Sequence, residues 1–304
     1  FVNKKLEENY GLKIGDGIFG LSSIELKMLN LNEDEKKLIK PYYNSSDNVE
    51  RYYIGDTDIW IIYTPSSFKD PHSMDNLPHL KSHLDKYAGV ITSDNKPYGL
   101  HRARVEDFFI GEKVVALRKC AGRPVFAYAD GDNYMSATFY VIKTMRLNMK
   151  YLTGILNSRV IEFWLKNRGK MQGDNYQLDK EPLMRIPIAM PTLDIQNVIA
   201  SLVDTIRLLR KSNISVDSHV TNDYLAKEFE KIINGCVYEI YFEEEIRKFF
   251  KESIIALVKG YISGSITSQN VYDVYSKIES TGIIEIIDSL GFSNSNTLRT
   301  ISLS

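Results

Sequence analysis

Apolar and polar positions alternate in short runs through the first two thirds of the chain, then switch to a helical period. Residues 58–64 (DIWIIYT), 111–119 (GEKVVALRK), 123–129 (RPVFAYA) and 136–143 (SATFYVIK) are rich in β-branched and aromatic residues, which predicts strands. Turns are expected at 93–97 (SDNKP) and 129–133 (ADGDN), where Asp, Asn and Gly suit tight reversals. Two helices interrupt this region, over 77–87 (LPHLKSHLDKY) and 149–168 (MKYLTGILNSRVIEFWLKNR). The change falls at Pro191, because all nine prolines lie at or before it. From 193 to 212, Ile195, Val198, Ile199, Leu202, Val203, Ile206 and Leu209 make one broad apolar stripe. Further helices are predicted over 222–241, capped by Thr221 or Asn222, and over 243–262, whose first-turn acids favour a helix start. Two shorter ones are expected near 268–280 and 282–290, and no period of 20–50 residues repeats. The expected fold is α+β: mixed and antiparallel strands with inserted helices over 1–192, then an all-helical C-terminal region over 193–304.

Composition adds bounds. With 304 residues, 43% hydrophobic and 11% aromatic, the chain can bury a sizeable core, and bulk disorder is excluded. The net charge of −1 hides an asymmetry: residues 214–304 hold 13 acidic and 8 basic side chains, leaving 26 acidic and 30 basic before them. A mildly basic front admits a polyanionic partner. Two cysteines, Cys120 and Cys236, build neither a disulfide framework nor a metal knuckle, so a reducing cytoplasm is expected. There is no run of 18 apolar residues, and FVNKKLEENY has no signal-peptide pattern. No membrane partner is expected. The opening without Met reads as a piece of a longer protein.

The residues that carry chemistry point to binding. No phosphate-loop, nucleophile-elbow or zinc-helix motif occurs, and the glycines of GLKIGDGIFGL (11–21) do not match a dinucleotide loop. His72, His79 and His83 include an i, i+4 pair, but a third ligand and a general base are not evident. No catalytic residue, metal or cofactor is therefore expected in this segment. Residues 143–170 carry seven basic side chains (Lys143, Arg146, Lys150, Arg159, Lys166, Arg168 and Lys170) against one acid, Glu162. Such a strip can neutralise phosphates. Phe163 and Trp164, within it, read as core. The following GKMQGDNYQLDKEPL (169–183) offers the amides of Gln172, Asn175 and Gln177 among glycines that permit close approach, or else a polar turn. In KPYGLHRARV (96–105), an extended backbone would put Arg102 and Arg104 on one side and His101 on the other. Ion pairs with Glu106, Asp107 or Glu112 are the structural alternative.

Taken in order, these motifs resemble the target-recognition domain of type IIG restriction–modification enzymes and TaqI-type adenine-N6 DNA methyltransferases. The resemblance spans about residues 11–195, from IGDGIFGL (14–21) through SDNKPYGLHRAR (93–104) and GEKVVALRKCAGRPVFAYADGDNYMSATFYVI (111–142). It is strongest at LTGILNSRVIEFWLKNRGKMQGDNYQLDKEPLMRIPI (152–188), with a weaker echo at 233–246. It implies recognition of double-stranded DNA by a non-catalytic specificity domain. S-adenosylmethionine, with Mg as a further candidate, would belong to the methyltransferase portion of a parent enzyme serving phage defence. The DNA-binding residues it implies are Tyr98, His101, Arg102 and Arg104, then Arg118, Lys119 and Arg123. Lys166, Arg168, Lys170, Gln172, Asn175, Tyr176, Gln177 and Lys180 complete the set. The acidic helices are expected to pack on the methyltransferase portion or to brace the reader. A type I specificity subunit, a protein-docking module and a metal nuclease built on the three histidines are the competing readings.

Overall fold

The structure, a computed structural model, describes residues 1–101, 103–212, 220–290 and 295–303. The chain runs α1 (Lys4–Tyr10), β1 (Gly20–Ser22), α2 (Ser23–Met28), α3 (Glu33–Lys36), β2 (Ile39–Tyr43), β3 (Ile59–Ile62) and α4 (Pro78–Asp85). Strands β4 (Lys113–Leu117), β5 (Lys119–Ala121), β6 (Phe126–Ala129), β7 (Tyr134–Met135) and β8 (Phe139–Ile142) follow. Next come α5 (Met149–Leu156), α6 (Arg159–Arg168), β9 (Lys170–Gln172), β10 (Asn175–Gln177) and α7 (Lys180–Met184). After Pro191 the elements among the described residues are helices alone: α8 (Leu193–Lys211), α9 (Asn222–Arg247), α10 (Ile254–Tyr261), α11 (Val271–Glu279), α12 (Ile283–Ser289) and α13 (Asn296–Ser302). The fold is α+β with an all-helical C-terminal region, as the hydrophobic pattern predicts.

Two compact units account for the contacts. The first comprises Phe1–Asn48, Asp56–Gly111 and Asp130–Thr138. Its sheet has the order β1-β3-β2-β7, antiparallel except for the β2–β7 pair. Leu21, Ile62, Met74, Leu80, Leu84 and Tyr98 lie in its core. Glu35 ties two helices into it. Its fully buried carboxylate accepts from the backbone N–H of Asn32 at 2.9 Å, closing the α3 capping box, and from those of His79 and Leu80 at 2.7 and 3.0 Å, at the start of α4.

The second unit comprises Val49–Gly55, Glu112–Ala129 and Phe139–Ser304. One antiparallel sheet, β6-β4-β8, has every residue of β4 buried. The other, β5-β10-β9, is also antiparallel. Helix α8 buries Val198, Ile199, Leu202, Val203, Ile206 and Leu209, six of the seven residues of the stripe read from the sequence, and leaves Ile195 half-buried. Each such side chain contributes about 1.5–3 kcal/mol on burial, so packing rather than propensity holds a helix of this length. The unit cuts across the expected boundary at 192, since α5 packs directly on α8: a Cβ on Gly154 would lie 2.5 Å from Ile199 Cγ2.

Three local outcomes differ from the sequence pattern. The helix expected over 149–168 is two. Asn157 breaks it, its side chain accepting from Phe126 N–H at 3.2 Å and donating to Phe126 O at 2.7 Å, while Ser158 caps α6. Conversely α9 continues through the predicted break, kinked at Phe242, and Thr221 is its N-cap. The sequence pattern predicts no helix at α1, α2, α7 or α13, which are short and lack a sustained stripe.

Candidate nucleic-acid interface

The β5-β10-β9 sheet brings five of the expected residues onto one face. Register places Lys119, Gln177 and Lys170 in one cross-strand row, and Ala121, Asn175 and Gln172 in another. Because strand side chains alternate, the row between them, Cys120, Tyr176 and Met171, points the other way. Burial follows: Cys120 and Tyr176 are buried and Met171 half-buried, whereas Lys119, Lys170, Gln172 and Asn175 are exposed and Gln177 half-exposed. One short turn sets the β9–β10 register. Gly173, first of the two residues joining β9 to β10, has φ +59°, the sign a type II′ hairpin requires there. Gly122, just after β5, has φ +71°. Gln177 Nε2 donates to Asp179 Oδ1 at 3.2 Å, which orients the amide.

Basic side chains flank the face. Lys166 and Arg168 are exposed on the last turn of α6, whose end is closed by the Gly169 N–H donating to Leu165 O at 2.7 Å, immediately before Lys170. Lys180, exposed, opens α7. Arg118 lies over the Tyr140 ring, 5.0 Å from its centroid.

The remaining expected residues are placed otherwise. Arg123 is held by carboxylates: Nε donates to Glu162 Oε2 at 2.9 Å and Nη1 lies 2.8 Å from Glu230 Oε1. Burial opposes its charge, but Glu230 and Glu162 outweigh burial and hold its pKa above the ordinary guanidinium value. Tyr176 forms the underside of the sheet, its phenol pushed up by burial and by Glu162. Tyr98 is a core residue of the first unit, its hydroxyl 2.9 Å from Asp85 Oδ1. Its carbonyl accepts from Thr64 Oγ1 at 2.6 Å, so Tyr98 anchors the 96–105 loop. Arg102 lies outside the described residues. His101 and Arg104 line a cavity of about 520 Å³ with Tyr42, Tyr63, Phe109 and Tyr134. Its rings pack edge to face or tilted, with Tyr134 centred 4.8 Å from Tyr63 and 5.0 Å from Phe109. None of this cavity's tyrosines is among the expected site residues.

The alternative chemistry does not assemble. His72 pairs with Asp75 at 3.0 Å, His79 with Glu35 at 2.8 Å, and His83 with the Ile18 carbonyl at 2.9 Å, three separate partners. Among the described residues no three His, Cys, Asp or Glu side chains group as metal ligands. The glycine-rich opening makes turns: Gly11 caps α1 with φ +66°, and the Gly17 N–H donates to Glu25 at 2.6 Å. No helix among the described residues is long and apolar enough to cross a membrane.

Residues 40–188 match the family model of the TaqI-like C-terminal specificity domain. Over these residues the chain is similar to that family. The lysine–amide face lies wholly within the TaqI-like segment, whereas α8 to α13 lie beyond it. The fold is similar to that of the type IIL restriction–modification enzyme MmeI, solved in complex with DNA, with a TM-score of 0.54 and 14% identity. That match covers 87% of this chain and 34% of the MmeI chain, so this chain spans about a third of its length. No curated protein matches the chain.

Proposed function

We propose that the chain reads the sequence of double-stranded DNA as the specificity part of a restriction–modification enzyme, with the β5-β10-β9 face set against base edges. The observation that carries this reading is the register: three amides and two lysines on one exposed face of a TaqI-like specificity domain. Strands about 4.8 Å apart make a three-stranded face about 10 Å across, which fits a major groove about 12 Å wide. Amides pair bidentately with adenine, and lysine donates to guanine O6 and N7. Lys166, Arg168 and Lys180 are suited to hold phosphates and set register. The solved DNA complex of MmeI supports the same reading.

We further read the parent as an adenine-N6 DNA methyltransferase of the type IIG kind, acting in phage defence in the cytoplasm. Its methyltransferase portion would hold S-adenosylmethionine, and any Mg, on residues other than those described here. This chain would clamp the duplex while the target adenine is extruded. The test is selection from a randomised duplex pool at low and moderate salt. Enrichment of one short motif is the expected result. Salt-sensitive binding without any enrichment, from a folded sample, would overturn sequence reading by this chain.

A further inference from the structure

Beneath the lysine–amide sheet lies a set of partly buried ions that draws on the C-terminal helices. Glu230, on α9, has a side chain only 14% exposed. It accepts from Arg51 Nη2 at 2.6 Å and pairs with Arg123 Nη1 at 2.8 Å. The other edge of Arg123 is taken by Glu162 of α6, whose second oxygen lies 3.3 Å from Arg159 Nη1. Arg51 also donates to Pro124 O at 2.7 Å and to Asn157 O at 2.5 Å, at the break between α5 and α6. The backbone delivering Arg51 is strained, since the next residue, Tyr52, has φ +71°, a region bulky side chains enter only when the surroundings force them.

These ions meet the sheet at both of its outer strands. Arg123 stands two residues beyond the end of β5, its N–H donating to Ala121 O at 2.8 Å. Helix α6, carrying Glu162, feeds into β9 through Gly169. The central strand is in reach as well, since Tyr176 interacts electrostatically with Glu162, Arg123, Arg159 and Arg51. Apolar packing would give comparable stability without the desolvation cost of buried ions. What an arginine fork held by two carboxylates adds is direction, because its donors lie in one plane.

We infer that Glu230 is a positioning residue for DNA recognition: by fixing the Arg123 and Arg51 guanidiniums it sets the pose of β5, β9 and β10, and with it the aim of Gln172, Asn175 and Gln177. This rests on the reading of that face as the sequence reader. Glu230 touches no base.

The experiment uses the full chain and the duplex motif it selects, compared with the same duplex carrying one changed base pair. Glu230→Gln keeps the shape and removes the charge. Its discrimination ratio should fall about tenfold, within the range one base contact supplies, while the slope of affinity against salt stays that of the wild type. Glu230→Asp should recover part of the ratio. When the changed base pair is the one whose discrimination depends on Gln177, the further loss from Glu230→Gln in a Gln177→Ala background should shrink to less than about twofold, since both then act through one contact. If Glu230→Gln does not fold, Glu162→Gln, at the other edge of Arg123, is read in the same way. A folded variant with wild-type discrimination, or an equal loss in both backgrounds, overturns the inference. A wild-type chain that selects no motif removes the reading itself, a result distinguishable from these.

Discussion

Gln177 stands between Lys119 and Lys170, and the three do different work if the face reads DNA. Gln177→Ala should lower the preference at one base pair by about 1–3 kcal/mol and leave other positions unchanged. Lys170→Ala should lower the preference for guanine at a second base pair by about 1–3 kcal/mol, whereas Lys166→Ala, at a phosphate, should weaken binding to all sequences alike and reduce the salt slope by about 1. Competition binding with single-substituted duplexes at two salt concentrations separates the outcomes, and a uniform loss from Gln177→Ala would remove it from the reading set. Gly173 carries the turn beneath them. Nothing lies within 4 Å of a Cβ built there, so Gly173→Ala is strained by its φ of +59° alone and should cost about 1–2 kcal/mol in urea unfolding. The amides and lysines were legible in the sequence because Gly-rich polar stretches bound by basic residues are rare in cores. Their alignment was not, since β5 and β10 are far apart in the chain and register is a property of pairing. Arg123 shows the converse: a basic side chain reads as a DNA contact until Glu162, the lone acid of the 143–170 strip, is seen to hold it.

Helices in this protein are joined by specific local devices, and those set which elements the pattern could reveal. The α8 stripe was legible because seven apolar residues keep one period. The split between α5 and α6 was not, because Asn157 breaks the helix by bonding Phe126, a partner remote in sequence. Gly154 illustrates packing that periodicity cannot encode. Gly154→Val would drive a side chain into Ile199 and Val203 of α8, and overpacking of this kind should cost about 1–3 kcal/mol in denaturant unfolding. Glu35 gives a pH-dependent case. Burial disfavours its charge, yet hydrogen bonds from Asn32, Leu80 and His79 hold its carboxyl below the usual range. A depressed folded pKa means a contribution fully present above the unfolded value of about 4.3 and lost as pH falls through the folded one. Thermal unfolding of the wild type should therefore weaken from about pH 5 downward. Glu35→Ala should be less stable at pH 7, by about 1–3 kcal/mol for the orphaned donors, with a shallower acid slope. An unchanged acid slope would show that other carboxylates govern it.

At the scale of the whole molecule, each compact unit is assembled from three separate stretches of chain. A boundary at 192 is the natural inference from sequence, since prolines stop there and a helical period begins. What the pattern could not show is that α5 has no core of its own. Met149, Leu152, Ile155 and Leu156 are buried in a unit that includes α8 and α9, and Gly154 lets Ile199 come close. The ion set beneath the lysine–amide face likewise needs Glu230 of α9. A chain ending at 192 would expose the apolar face of α5 to water and leave the Arg51 and Arg123 guanidiniums without that carboxylate. Both losses fall under the face that carries the amides. The expected outcome is that the 1–192 fragment is insoluble or melts without a cooperative transition, while the full chain unfolds cooperatively, as followed by circular dichroism and hydrogen exchange at the β4 amides. A soluble 1–192 fragment with a sharp transition and protected β4 amides would show that the strands hold their fold without the C-terminal helices, and Glu230 would then lose its claim on the pose of the sheet.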